Sequence, residues 1–380
     1  MKRLAIVTTH PIQYYAPVFQ LMAEKIALKV FYTGGNKGFN DYDRKFGKQV
    51  CWDIPLLEGY EYEFLDNISL FPGSHHFFGV VNSNAVTRIK KFEPSAILIY
   101  GWACLSHINL LRSFHGKIQI LFRGDSKLVD DLPFFRSLVK SILLKWIYKH
   151  VDIALYVGTE NRAYFKRFGL KESQLVFAPH AIDNLRFQED NRIESNELRS
   201  TLGIHPVDIV VLFAGKVNDL KNPRILLEAF CQINHPNAHL VIVGSGDSLL
   251  DLKNLKASEA AMKIHFLPFQ NQQQMPSVYQ ACDLFCIPTK YPGETWGLAV
   301  NEAMAAGKAI LCSNQVGSAI DLVCEKNGQV FKSEDLPDLK QKLSHLLKDK
   351  SRLTELGENS RKKISTWSIE NQVNQTLAHV

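Results

Sequence analysis

The chain has 380 residues, 46% of them apolar and 22% charged, with a formal charge of +6. That length exceeds what one hydrophobic core usually serves, so two domains are expected, and the composition excludes a disordered chain. The charge excess favours anionic partners such as phosphates or acidic lipid surfaces, and it falls short of the basic footprint of a nucleic-acid-binding protein.

In chain order, short apolar runs alternate with helical periodicity, the pattern of parallel sheets covered by helices. The first half predicts strands at 4–8, 28–32, 96–100, 118–122, 153–156 and 175–177. Helices are predicted near 16–24, 82–91, 105–113, 133–150 and 160–168. The stretch 34–73 is polar and punctuated by glycine, which reads as long loops, and such loops are usually functional. After Ala178-Pro179-His180 the sequence turns polar and charge-mixed, so 183–206 is the expected linker, with room for a short helix.

The second half restarts the alternation, with strands at 209–214, 240–244, 264–267, 284–287, 309–312 and 329–331. Helices lie near 222–232, 247–259, 274–281, 297–306, 319–323 and 336–347, and two more near 352–364 and 368–378. The expected division is an α/β domain over 1–182, a second over 207–364, and a closing helix in 365–380 that packs back on the first. Two doubly wound units joined by a linker leave a cleft, and ligands in such sheets bind beyond the carboxyl ends of the strands.

The seven cysteines are scattered, odd in number and mostly embedded in apolar runs. Buried thiols in a cytoplasmic chain are expected rather than a disulfide framework. Cys282 and Cys286 form the one close pair and read as core thiols in preference to a metal site. The opening apolar run is too short for a signal peptide, and no apolar stretch reaches roughly 18 residues. An integral membrane protein is therefore not expected, while peripheral attachment stays open.

The most specific motif spans residues 288–303, where Glu294 and Glu302 flank a loop and a helix start. A carboxylate accepts hydrogen bonds from a vicinal diol through its two oxygens. The helix start between the two acids offers unpaired N–H groups and positive dipole to a diphosphate. Were both acids helical, they would lie about 12 Å apart along the axis, near the span from a donor hexose to the ribose of its nucleotide. The plainer alternative is a solvated loop acid followed by an ordinary helix acid.

Lys216 and Lys221 follow the apolar strand 209–214, beside Gly215 and just before a helix. Two ammonium groups there suit a diphosphate, and Gly215 permits close backbone approach; taken singly, either lysine reads equally as a surface residue. Gly244-Ser245-Gly246 is a G-x-G turn lacking the third glycine of a dinucleotide fingerprint, which argues against a dehydrogenase.

With these residues together, the C-terminal half resembles the family 4 retaining glycosyltransferases, whose hallmark is an E-x7-E motif, here Glu294 and Glu302. Gly215, Lys216 and Lys221 match the family's G-[R/K]…K turn, and Gly244, Cys282-Asp283-Leu284 and residues 315–323 match further pieces. The similarity runs over roughly 207–347 and is weaker before it. It implies the GT-B fold, with two Rossmann-like domains facing a central cleft. It also implies a nucleotide-sugar substrate (a UDP-, GDP- or dTDP-sugar) and no tightly bound cofactor.

By the same resemblance Glu294 faces the donor sugar's hydroxyls, Glu302 holds the ribose, and Lys216 and Lys221 hold the phosphates. Backbone groups of Thr295, Trp296, Gly297 and Leu298 meet the sugar and diphosphate. Two positions depart from the family. Lysine stands at 216 where arginine is usual, removing a bidentate fork, and the usual Gly-Gly…Glu segment reads Gly317-Ser318…Asp321. The family also implies retention, with the donor's own phosphate taking the acceptor proton. Asp41-Tyr42-Asp43 matches the D-x-D metal motif of the other large glycosyltransferase fold, but it lies in a loop rather than after a buried strand and is not assigned that role.

The N-terminal half is then expected to supply the acceptor side. Its first strand runs into His10-Pro11-Ile12-Gln13-Tyr14-Tyr15, similar to a subset of the family that lacks the usual Gly-rich loop. His10 is a phosphate or acceptor contact, or else a turn cap, with Gln13 and Tyr14 beside it. Arg123 or Asp125 takes the place of a histidine that faces the donor sugar in many relatives, or the two form a local surface pair. Gly101 and Trp102 lie at the same sheet edge and line an acceptor site. In the helix near 133–150, Arg136, Lys140 and Lys149 form a basic stripe. That helix either lies on an anionic membrane surface or simply covers a sheet. The expected function is sugar transfer to a glycan or lipid-linked acceptor in cell-surface polysaccharide synthesis. The rival readings are a nucleotide-sugar epimerase and a non-catalytic sugar-binding partner subunit.

Overall fold

A computed structural model describes residues 2–36, 42–43, 48–49, 52–128, 133–258 and 263–380. Asp41 of the D-x-D match, and Cys51, lie outside the described residues.

The apolar runs predicted as strands pair in parallel in two separate sheets. The first has seven strands in the order Glu61–Phe64, Ala27–Tyr32, Arg3–Thr8, Ala96–Tyr100, Gln119–Arg123, Ile153–Tyr156 and Leu175–Phe177. The second has six, ordered Ile264–Leu267, Ala238–Val243, Ile209–Ala214, Leu284–Ile287, Ala309–Ser313 and Gly328–Phe331. Each chain path starts mid-sheet, builds outward one way, then returns to build the other way, as doubly wound folds do. Parallel neighbours need crossover connections, and helices supply most of them; among the described residues no α-helix lies between Ala27–Tyr32 and Glu61–Phe64. The central strands are therefore buried on both sides and read as continuous apolar runs, as in Leu4–Val7 and Val211–Phe213.

The strand Glu61–Phe64 was not expected. It is a short edge strand of sequence EYEF, and its acids pair with Lys29 on the neighbouring strand at 2.8 and 3.2 Å. Charge and brevity protect a sheet edge from unwanted pairing, and they also hide it from a hydrophobicity pattern.

The chain divides into two compact units. The first takes the described residues of Met1–Asp41, Pro55–His180 and Ile369–Val380; the second takes those of Tyr42–Ile54 and Ala181–Ser368. Within the first, the closing helix Ile369–Leu377 lies against Ala16–Ala23, with Lys25 Nζ donating to Asn374 Oδ1 at 3.1 Å.

Residues 183–206 are the stretch read as a linker with room for a short helix. Two helices, Asn184–Gln188 and Arg192–Thr201, occupy it and pack within the second unit. Asp183 caps the first by accepting from Arg186 N, while Arg199 Nη1 donates to Ala281 O at 2.9 Å and Ser195 Oγ to Ser277 O at 3.0 Å. Polar contacts thus fix the second helix, while Phe187 of the first is fully buried against Tyr279.

Cys282 and Cys286 are buried free thiols, and burial pushes Cys282 up to about 12. Among the described residues no helix is long and apolar enough to cross a membrane.

Candidate functional site

The order of the second sheet reverses between Ile209–Ala214 and Leu284–Ile287, which pair directly. Their carboxyl ends release the two loops that carry the sequence motifs, the position at which doubly wound sheets bind ligands. Backbone crowding dictates glycine here. A Cβ on Gly244 (φ +141°) would sit 1.9 Å from Gly215 O, and one on Gly246 (φ +158°) would sit 2.2 Å from Val217 O. Val217 N donates to Ser245 O at 2.9 Å, locking the two strand ends together.

In the loop after Ile209–Ala214, Asn218 Oδ1 accepts from Lys221 N at 3.0 Å, a local turn that delivers the lysine. Lys290 ties the neighbouring loop to it, its N–H donating to Leu220 O at 2.9 Å and its ammonium pairing with Asp219 at 2.6 Å. Lys221 Nζ thereby forms an ion pair with Glu294 Oε2, and the Thr289 hydroxyl donates to the other oxygen, Oε1. The two charged side chains are only 19% and 12% exposed. Lys216 stands at the same strand end, half-buried beside Gly215.

Glu294 is held from behind. Its N–H donates to Gln315 O at 3.0 Å, and it forms a parallel bridge with Val316. A Cβ on Gly317 would lie 2.0 Å from Thr295 O, and one on Gly297 (φ +93°) would lie 3.3 Å from Glu294 Oε2. The loop is thus pressed against residues 315–318, and the helix Leu298–Ala305 opens directly after Gly297. Because Glu294 precedes that helix, the picture of both acids on one helical axis does not hold. Glu302 is helical, nearly buried, and accepts from Tyr279 OH at 2.8 Å. The Trp296 ring belongs to the interior, its Nε1 donating to Asn301 Oδ1 at 2.9 Å, which leaves the backbone of Trp296 rather than its ring for a ligand.

Chemically, the arrangement offers ammonium groups and a helix start to an anion, with two anchored carboxylates able to accept from hydroxyls. A carboxylate has about four lone-pair sites, so Glu294 keeps acceptor capacity beyond Lys221 and Thr289. Among the described residues no cluster of three or more His, Cys, Asp or Glu is placed to hold a metal ion.

In the first unit, the carboxyl end of the sheet gathers a second cluster. Arg123 is buried, and its Nη1 and Nη2 donate to Ala178 O and Pro179 O, each at 2.9 Å. The surface-pair alternative for Arg123 and Asp125 fails on that burial: the guanidinium pins the turn that leads to His180. The Tyr15 ring lies 4.7 Å from that of Tyr100, and burial pushes the Tyr100 phenol up to about 12. Burial, then the Arg123 charge, lowers His180 to about 4 against the opposing pull of Asp125. Gly101 (φ +73°) donates to Arg123 O at 2.8 Å, and Trp102 packs partly buried on the core. His10 Nδ1 lies 2.8 Å from Thr9 Oγ1, with Gln13 and Tyr14 half-buried in the following turn.

The sequence reading did not single out Thr289, Tyr279 or His180. Thr289 follows a buried strand inside the quoted motif, and that position was the available signal. Tyr279 is apolar in pattern, and only its hydroxyl contact reveals it. His180 lies just beyond the last strand of its sheet, Leu175–Phe177, as His10 lies just beyond the first of the chain, Arg3–Thr8.

Residues 194–363 match the family described as Glycosyl transferases group 1. Spore coat protein SA of Bacillus subtilis (strain 168) is 32% identical over 187 residues, 47% of this chain and 49% of that protein. D-inositol 3-phosphate glycosyltransferase of Rhodococcus opacus (strain B4) is 27% identical over 231 residues, covering 57% and 50%. The chain spans about half the length of the curated relatives it matches. Among solved structures, sucrose-phosphate synthase from Thermosynechococcus elongatus superposes with a TM-score of 0.73 at 16% identity, covering 100% of this chain and 98% of that one. Anabaena HepE in complex with UDP and glucose gives a TM-score of 0.73 at 17% identity with the same coverage. The chain therefore has the fold of the GT-B glycosyltransferases, and its residues 194–363 match the group 1 glycosyl transferases.

Proposed function

We propose that the chain is a retaining hexosyltransferase that moves a sugar from a nucleotide-sugar donor to a glycan or lipid-linked acceptor. Its setting in this reading is cell-surface polysaccharide synthesis on the cytoplasmic side. The observation that carries it is the Lys221–Glu294–Thr289 cluster at the switch point of the second sheet.

In this reading Lys216 and Lys221 hold the diphosphate, together with the N–H groups that open Leu298–Ala305. Glu302, oriented by Tyr279, accepts from the ribose, and Glu294 accepts from hydroxyls of the sugar. As the diphosphate leaves, negative charge grows on its outer oxygens, and Lys221 turns from Glu294 toward them. A donor phosphate oxygen takes the acceptor's proton on the same face as the departing group, so configuration is kept and no protein carboxylate need become a nucleophile. Catalysis then consists of positioning and charge stabilisation. In the first unit, His10, Gln13, Tyr14, Gly101 and Trp102 are the acceptor-side candidates, Asp125 stands in for a histidine that faces the donor sugar, and Arg123 positions the turn at His180.

The test is a screen of UDP-, GDP- and dTDP-sugars by calorimetry, followed by mass spectrometry of acceptor products and NMR of the new anomeric centre. Transfer with retention is the expected outcome. Release of an epimerised sugar without any acceptor would mark an epimerase, and a failure to bind any nucleotide sugar would mark a non-catalytic subunit.

A further inference from the structure

The helix Phe134–Tyr148 carries apolar residues on two opposite faces. Leu144, Ile147 and Tyr148 are buried against the first sheet. At 100° per residue, positions 135, 138, 139, 142 and 143 fall on the other side, and these five large apolar side chains are between 41% and 73% exposed. A helix apolar on both faces has one face left to cover.

What flanks that row identifies the cover. Arg136 borders one side and Lys145 the other, both exposed, with Lys140 on the same helix, Lys149 directly after it, and no acidic residue between 133 and 149. The exposed row occupies the N-terminal part of the helix, which follows the strand Gln119–Arg123 and so lies toward the carboxyl end of the sheet. The loop after the edge strand Glu61–Phe64 leaves that same end, and it presents Leu70 at 91% and Phe71 at 76% exposure. Hydrogen bonds from Asn67 Nδ2 to Gly79 O (2.9 Å) and from Ser69 Oγ to Phe78 O (2.7 Å) hold the loop in shape.

We propose that the exposed face of Phe134–Tyr148, with Leu70 and Phe71, seats the first unit on an anionic lipid bilayer. The apolar row enters the headgroup–acyl boundary while Arg136 and Lys145 meet lipid phosphates. This goes beyond the basic stripe read in the sequence: an apolar row bordered by cations makes the contact. It does not depend on the transfer reaction, and it places the carboxyl end of the first sheet beside the membrane, where a lipid-linked acceptor would be reached.

The test is co-sedimentation of the full chain with vesicles of phosphatidylglycerol and phosphatidylcholine, against phosphatidylcholine alone. Circular dichroism and thermal midpoints serve as folding controls. Expected is selective binding to the anionic vesicles. It should weaken about tenfold or more in Phe135→Glu/Ile142→Glu, from lost apolar burial and added charge, and weaken with salt and in Arg136→Ser/Lys145→Ser. No binding to either vesicle, or unchanged binding by a folded Glu variant, would overturn the proposal. So would a concentration-dependent dimer in sedimentation velocity that the Glu variant abolishes, which would assign the face to a second copy of this chain.

Discussion

Replacing Glu294 with Gln separates the two tasks assigned to the switch-point cluster. The amide matches the carboxylate in size and still accepts from Thr289, but it removes the charge opposite Lys221. A hydrogen bond to a charged group contributes about 1.5–3 kcal/mol. Both partners are partly hydrated, so the folded chain should lose about 1–2 kcal/mol. For a unit of this size that lowers the thermal midpoint by roughly 2–8 °C. Loss of a charge-assisted contact to the donor sugar should cut kcat/KM for transfer by about 10- to 150-fold. The informative quantity is the sign for the bare nucleotide. Lys221 is engaged by Glu294 in the free chain, so neutralising Glu294 releases it, and the nucleoside diphosphate should bind Glu294→Gln as tightly as wild type or more so. Calorimetry with the diphosphate and with its sugar, beside initial-rate kinetics, reads both effects. Equal weakening of the two ligands would refute the division of labour, and unchanged transfer would remove Glu294 from the reaction.

Other expectations follow from packing and charge. Gly317→Ala drives a Cβ to 2.0 Å from Thr295 O. It should displace the 294–297 loop, cost about 1–3 kcal/mol and weaken nucleotide-sugar binding, which thermal melts and calorimetry would show. His180 is held neutral in the folded chain, lowered to about 4 by burial and Arg123 while Asp125 opposes. The unfolded chain binds that proton from about pH 6.5 downward, so the contribution of this group falls as pH drops from there toward 4 and is constant above. Urea midpoints between pH 4 and 7 should show a slope that is shallower in His180→Asn than in the wild type.

Much of the architecture was legible because the central strands are buried on both faces. Runs such as Ile209–Ala214 and Ala96–Tyr100 carry their burial in their composition. Elements anchored by polar contacts were not legible. The helix Arg192–Thr201 is fixed through Arg199 and Ser195, and the edge strand Glu61–Phe64 through its ion pairs with Lys29. At the site, spacing pointed to Lys221 and Glu294, which the fold brings into contact. It did not reveal that Glu294 precedes the helix, because Gly297 and the contact with residues 315–318 set that boundary from another loop. Arg123 shows the opposite limit, since a strand-end arginine reads the same whether it faces a ligand or pins two carbonyls.

The most direct measurement is a calorimetric titration of uridine, guanosine and thymidine diphosphates into the wild-type chain and into Lys216→Met/Lys221→Met. Saturable binding of at least one diphosphate by the wild type is expected, weakened about 100-fold or more when both ammonium groups are removed from a folded chain. Undiminished affinity in the double variant, or no binding of any diphosphate by the wild type, would contradict a pyrophosphate seat at the switch point of the second sheet.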